Sequence, residues 1–205
     1  ANATGTPSSQ RELQPGATTA ELCEHAYARF LTAINGTQNA LSAEAVDEAV
    51  HLMQGQQVFC LGQGGSMLLA NDICARFAQP FHQVPHRRRQ PFTAADCQSD
   101  ERADVVLFVS YSGATRDMME TLRTAKAAGA KIILLTHYED SPGALLADVV
   151  FSGGAQESPL DSGSIPIKVA VLYVAGAAAA LHDGRPETAN TAQDRTSEAV
   201  AMKLL

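Results

Sequence analysis

Two segments of this chain repeat one arrangement. Residues 58–66 read Val-Phe-Cys-Leu-Gly-Gln-Gly-Gly-Ser, and residues 105–115 read Val-Val-Leu-Phe-Val-Ser-Tyr-Ser-Gly-Ala-Thr. Each is a short apolar run that stops abruptly in glycine and hydroxyl residues and passes into a helix-like stretch. A run without polar alternation is a strand buried on both faces, as in a parallel sheet covered by helices. Glycines at the strand end let the backbone approach an anion, and the hydroxyls and amide N–H groups of a helix N-terminus can bind it. Two such turns in one small domain point to a phosphorylated small molecule.

The pattern continues along the chain. Strands are predicted over 58–61, 105–109, 131–136 and 149–151, with a further short strand over 81–84. Helices are predicted over 66–77, 115–128, 166–182 and 190–204, with a short one over 143–146; Gly129 supplies a C-terminal stop. Two helices precede the first strand. The first starts at Thr18 or Thr19, either of which can cap it, and carries Leu22, Ala26, Phe30 and Ile34 at i+4 spacing. The second is capped by Ser42, with Val46, Ala49, Val50 and Met53 facing inward. Residues 1–17 are polar and rich in Ser, Thr, Gly and Pro, and read as a flexible lead-in, linker or tag remnant. Residues 18–54 then form a helical arm, and residues 55–205 an α/β core with C-terminal helices. The expected fold is a doubly wound parallel sheet with helices on both faces. In such sheets ligands sit beyond the carboxyl ends of the strands, where the strand order reverses, so both turns can converge on one pocket.

Composition excludes several function classes. The 205 residues suffice for one core. The net charge of −7 and a pI near 5.3 argue against nucleic acid as a direct partner. The basic run His86-Arg87-Arg88-Arg89 reads as a solvated loop against that background. The four cysteines have no paired-ligand spacing and read as reduced structural thiols of a cytoplasmic protein. No signal peptide is recognisable, and no apolar run approaches the roughly 20 residues that span a bilayer; the Ala-rich stretch 169–181 reads as a buried helix. The six histidines do not cluster, so neither a metal nor a cofactor is expected.

The first turn, Gly62-Gln63-Gly64-Gly65-Ser66, is not a dinucleotide fingerprint, because Met67 stands where a third small residue belongs. It is not a Walker loop either, since no Gly-Lys-Ser/Thr follows. The second turn, Ser110-Tyr111-Ser112-Gly113-Ala114-Thr115, has three hydroxyls of Ser and Thr and a glycine within six residues, a donor-rich nest for phosphate.

These loops carry a resemblance. From about Thr18 onward the chain resembles a sugar isomerase (SIS) domain: Gly62-x-Gly64-x-Ser66 matches its first loop and Ser110-x-Ser112-Gly113-x-Thr115 its most specific one. Ala125-Lys126-x-x-Gly129-Ala130, Ile132 to Thr136, Ser141-Pro142 and Ala147-Asp148 match as well. The helical lead-in, Glu157 with Ser162–Ser164, and the terminal Thr196-Ser197-Glu198-Ala199-Val200 resemble more narrowly the sugar-sensing half of RpiR-type transcriptional regulators. The resemblance implies a flavodoxin-like α/β fold. It implies that Ser110, Ser112 and Thr115 grip a phosphate, with Gly113 giving clearance, the Tyr111 amide adding a donor, and Ser66, with Gly62 and Gly64 shaping its loop, reaching the sugar or the phosphate. Glu157 stands where some isomerising members carry a catalytic base; its flanking residues do not closely match theirs, and it reads first as a solvated loop carboxylate that can still contact sugar hydroxyls without doing chemistry. His137 and Lys168 lie near the pocket in sequence order but read by default as a surface histidine and a solvated or ion-paired lysine. The implied function is recognition of a phosphorylated sugar or sugar acid as an effector. The implied assembly is a homo-oligomer, dimer or tetramer, with DNA contacted only through a domain outside this chain. The rival is a stand-alone phosphosugar (ketose–aldose) isomerase.

Overall fold

A computed structural model describes residues 16–77, 104–153 and 164–184. Four parallel strands, β1 (Val58–Gly62), β2 (Val105–Val109), β3 (Lys131–Thr136) and β4 (Val149–Ser152), form one sheet in the order β1-β2-β3-β4. β1 and β2 are buried at every position, which is why their sequences are apolar without alternation. Alternate residues divide between two cores. Val58, Cys60, Val105, Leu107, Val109, Ile133 and Leu135 face one side, where α2 (Ala43–Met53), α3 (Gly65–Phe77) and α5 (Ile165–Asp183) cover them. Phe59, Leu61, Val106, Phe108, Ile132 and Leu134 face the other, under α4 (Arg116–Ala127) and the 3₁₀ turn Ala144–Leu146. Helices on both faces of a parallel sheet make this the doubly wound α/β architecture expected. Among the described strands the order runs one way without reversal, and the link from α3 to β2 passes through residues outside the described set. The expected strand over 81–84, the basic run 86–89, Glu157 and the helix over 190–204 also lie outside the described residues.

The two lead-in helices behave differently. Val46, Ala49, Val50 and Met53 of α2 are all in the core, and Ser42 caps the helix by accepting from the Ala45 N–H at 3.1 Å. The N-terminus of α1 (Thr19–Ala40) is closed by a capping box between Thr18 and Glu21. Its expected stripe is displaced, however. Leu22 and Ala26 are exposed, and the fully buried positions are Ala33 and Thr37. The reason is close approach: α1 packs on α5, and a Cβ on Gly153 would lie 2.7 Å from Thr37 Oγ1, so small residues occupy that contact. By length and composition α5 could cross a membrane, yet Ile167, Ala170, Val174, Ala175 and Ala178 are buried within the protein.

Asp148 closes the lower end of the sheet. Its carboxylate accepts from the Ile132 N–H at 2.8 Å and from Lys131 Nζ at 3.2 Å, with Lys126 Nζ 3.9 Å away. Burial pushes its carboxyl up, but the Ile132 amide and the two lysines outweigh that and hold it below the ordinary carboxylate value.

Candidate functional site

Both glycine-hydroxyl turns stand at the carboxyl ends of adjacent strands. β1 ends at Gly62 and α3 begins at Gly65; Gly64 between them has φ +53°, a left-handed conformation that glycine adopts freely. Gly62 cannot be larger, because a Cβ there would lie 2.6 Å from the Ser66 carbonyl oxygen. The start of α3 is therefore seated directly on the end of β1.

The second turn is built more tightly. Ser110 is buried, its amide donates to the Leu135 carbonyl at 3.0 Å, and its Oγ accepts from the Gly113 N–H at 3.2 Å. Ser112 Oγ accepts from the Ala114 N–H at 3.3 Å. The Tyr111 carbonyl accepts from Thr136 Oγ1 at 3.2 Å and from the His137 N–H at 3.1 Å. Gly113 has φ +61°, and a Cβ there would lie 2.2 Å from Ser141 Oγ. Its carbonyl accepts from the Gly143 N–H at 2.8 Å. β3 and the turn after it thus cast the shape of the loop.

Thr115 joins the two turns. It occupies the N-cap position of α4, yet its hydroxyl makes no capping bond and donates instead to Gln63 Oε1 at 2.9 Å. The N-terminus of α4 consequently carries no side-chain cap, and its dipole faces outward beside the loop hydroxyls.

A cleft of about 400 Å³ opens at this end of the sheet. Leu69, Val109, Leu135, Ile167 and Val171 give it an aliphatic wall, and Ser66, Tyr111, Thr136, His137 and Lys168 supply its polar groups. Ser66 and Tyr111 come from the first and second turns, so the two turns converge on one cleft as their spacing predicts. Ser110, Ser112, Gly113 and Thr115 flank the cleft and do not form its described wall. His137 lies in the wall and not on the open surface: its ring stacks on Tyr111 at 4.9 Å with 8° between planes, Tyr138 packs edge-on against both, and its Nδ1 lies 3.1 Å from the Gly153 carbonyl. An Nδ1–H donating there leaves Nε2 as the acceptor in the neutral ring. Lys168, in the first turn of α5, also faces the cleft, with Nζ 3.7 Å from where a Gly65 Cβ would stand. Among the described residues no three His, Cys, Asp or Glu side chains group as metal ligands.

The SIS domain family profile matches residues 51–181. The chain belongs to the SIS domain family. The chain is 34% identical over 131 residues to the HTH-type transcriptional regulator RpiR of Escherichia coli, covering 60% of this chain and 42% of that one. Its backbone is similar to the Vibrio vulnificus NanR protein complexed with ManNAc-6P (TM-score 0.77, 18% identity, 90% of this chain and 71% of that chain). It is also similar to a phosphoheptose isomerase from Francisella tularensis (TM-score 0.68, 16% identity, 82% and 100%). At these identities the structural likenesses speak for the fold alone. The chain spans about half the length of the curated relatives it matches.

Within this SIS domain, Gln63 had been given no role of its own, yet it accepts from the Thr115 hydroxyl 52 positions away. His137 and Lys168 lay near the pocket in sequence order but read by default as a surface histidine and a solvated or ion-paired lysine; both line the cleft. The available signal was positional: each follows or opens an element at the carboxyl end of the sheet.

Proposed function

We propose that this SIS domain recognises a phosphorylated sugar or sugar acid as an effector, and that it is the sensing part of an RpiR-type bacterial transcriptional regulator and not an enzyme. The observation that carries the reading is the Thr115–Gln63 hydrogen bond, which ties together the two glycine-hydroxyl turns that bring Ser66 and Tyr111 to one cleft. In this reading the phosphate lies against Ser110, Ser112 and Thr115 and the uncapped N-terminus of α4, where amides and the serine hydroxyls supply charge-assisted donors. The Tyr111 amide adds a donor, Gly62, Gly64 and Gly113 keep the backbone clear, and Ser66 meets the sugar. Glu157 is assigned to sugar hydroxyls. The likeness to HTH-type regulators supports a sensor, and the NanR complex supports a sugar phosphate as the kind of effector. Binding shifts the geometry of a homo-oligomer, dimer or tetramer, and so the spacing of DNA-reading domains outside this chain. Location in the cytoplasm accords with that role.

The isomerase reading rests on His137, a cleft histidine whose tautomer is fixed by a backbone carbonyl, a fit arrangement for a base. Thermal shift against matched phosphorylated and unphosphorylated sugars, followed by NMR of each stabilising ligand, separates the two. Stabilisation by a phosphate without conversion supports the sensor. Conversion that H137Q or E157Q abolishes establishes the enzyme. No shift with any phosphate sinks both.

A further inference from the structure

The cleft and the phosphate loop are adjacent but distinct, and their charges differ. The loop side offers the Ser110 and Ser112 hydroxyls and the amides at the start of α4, where Arg116 and Asp117 stand side by side with opposite charges. The cleft offers the Lys168 ammonium among its described lining residues. An ammonium in a half-enclosed, largely aliphatic wall is stabilised most by a counter-charge, because water is partly excluded and the local dielectric is low. A neutral aldose or ketose body in the cleft would face it with hydroxyls alone.

We propose that Lys168 selects for a phosphorylated sugar acid: the phosphate sits on the loop after β2 and the ligand's own carboxylate meets Lys168 Nζ inside the cleft. This rests on the phosphate-binding reading above and narrows it to ligands with two anionic ends. The geometry separates the two roles. Ser112 and Thr115 flank the cleft while Lys168 lines it, so the part of the ligand that fills the cleft is the part the lysine reads. Lys168 reaches the cleft from α5, whose Ile167 and Val171 neighbours are buried or half-buried and fix the direction of the first turn. Gly65 stands beside it, with Nζ 3.7 Å from where its Cβ would lie, and carries no side chain that competes for the ammonium. Leu69, Val109 and Leu135, which also line the cleft, suit the carbon chain between the two anions.

The test is calorimetric titration of wild type, K168Q and K168R with three matched pairs of probes: the 6-phosphates of glucose, mannose and galactose, and the 6-phosphates of the corresponding aldonic acids. Unphosphorylated gluconate serves as a control, and thermal melts establish that the variants fold. At least one aldonate phosphate is expected to bind about tenfold or more tighter than its aldose partner, the scale of a charge-assisted hydrogen bond. K168Q removes that preference by weakening aldonate phosphate binding about tenfold more than aldose phosphate binding, while K168R retains most of it. Equal affinity within every pair overturns the proposal while leaving the phosphate-binding reading intact. An equal loss for both members in K168Q also overturns it, because the lysine would then serve the phosphate. Absence of binding by every phosphate overturns this proposal together with the phosphate-binding reading.

Discussion

Thr115 Oγ1 donates to Gln63 Oε1 at 2.9 Å, linking the N-cap of α4 to the turn between β1 and α3. A hydroxyl that could have capped its own helix is used to hold two loops in one register. The consequence is a helix N-terminus with donors facing outward, beside a second turn whose position is fixed relative to it.

This bond predicts coupling between the turns. Thr115→Val and Gln63→Ala should each weaken phosphosugar binding, and the double variant should lose less than the sum. The expected coupling energy is about 0.5–1.5 kcal/mol, the net size of one hydrogen bond. Titration of the four proteins with the best phosphosugar checks it, and strict additivity would mean that the turns act independently.

Ser110 and Ser112 should separate structure from recognition. Ser110 is buried and its Oγ satisfies the Gly113 amide, so Ser110→Ala should cost about 1–2 kcal/mol of stability. Ser112 is only half-buried, so Ser112→Ala should leave the urea midpoint nearly unchanged and weaken phosphosugar binding by about 1–3 kcal/mol. Unchanged affinity in the second variant would count against the loop as a phosphate cradle.

Gly113→Ala should be among the most damaging single changes. It forces a side chain at φ +61° and drives a Cβ to 2.2 Å from Ser141 Oγ and 2.9 Å from Thr136 Oγ1. Strain and overpacking together should cost about 3 kcal/mol or more. Gly129→Ala, at φ +86° with nothing within 4 Å, isolates the conformational part and should cost about 1 kcal/mol. Equilibrium unfolding of the pair distinguishes crowding from backbone preference.

Asp148 makes part of the stability acid-sensitive. Its folded-state pKa lies below the ordinary value, so its contribution is present above the unfolded pKa of about 3.9 and is lost as pH falls through the folded one. Asp148→Asn should therefore cost about 1 kcal/mol at neutral pH, modest because the ion pairs are partly exposed, and the gap to wild type should narrow below about pH 4. Urea midpoints across that range measure it; a gap that widens in acid would contradict the assignment.

Thiol reactivity should follow burial. Cys60 and Cys74 are buried, and the Cys74 thiol, burial and the proximity of the two push the Cys60 pKa well up, so thiolate is scarce there. Cys23 is exposed on α1. Under native conditions an alkylating reagent should label Cys23 rapidly and Cys60 and Cys74 only on unfolding, as peptide mass mapping would record.

Local chemistry was enough for much of this protein. Continuous apolar runs determined β1 and β2, because a strand buried on both faces has no polar positions to alternate. Thr18 and Ser42 announced the starts of α1 and α2, since a cap acts on amides only a few residues away. Glycine and hydroxyl residues at the strand ends marked both site turns, and Ser66 and Tyr111 do meet in one cleft. Tertiary structure decided what depends on partners distant in the chain. It turned Thr115 away from its helix and toward Gln63, pointed Ser110 inward while leaving Ser112 half-buried, and shifted the buried face of α1 to Ala33 and Thr37. It also brought His137 and Lys168 into the cleft wall. Residue type and spacing specify which groups a loop can offer; only the packing of β3 and α5 against that loop specifies which way each group faces.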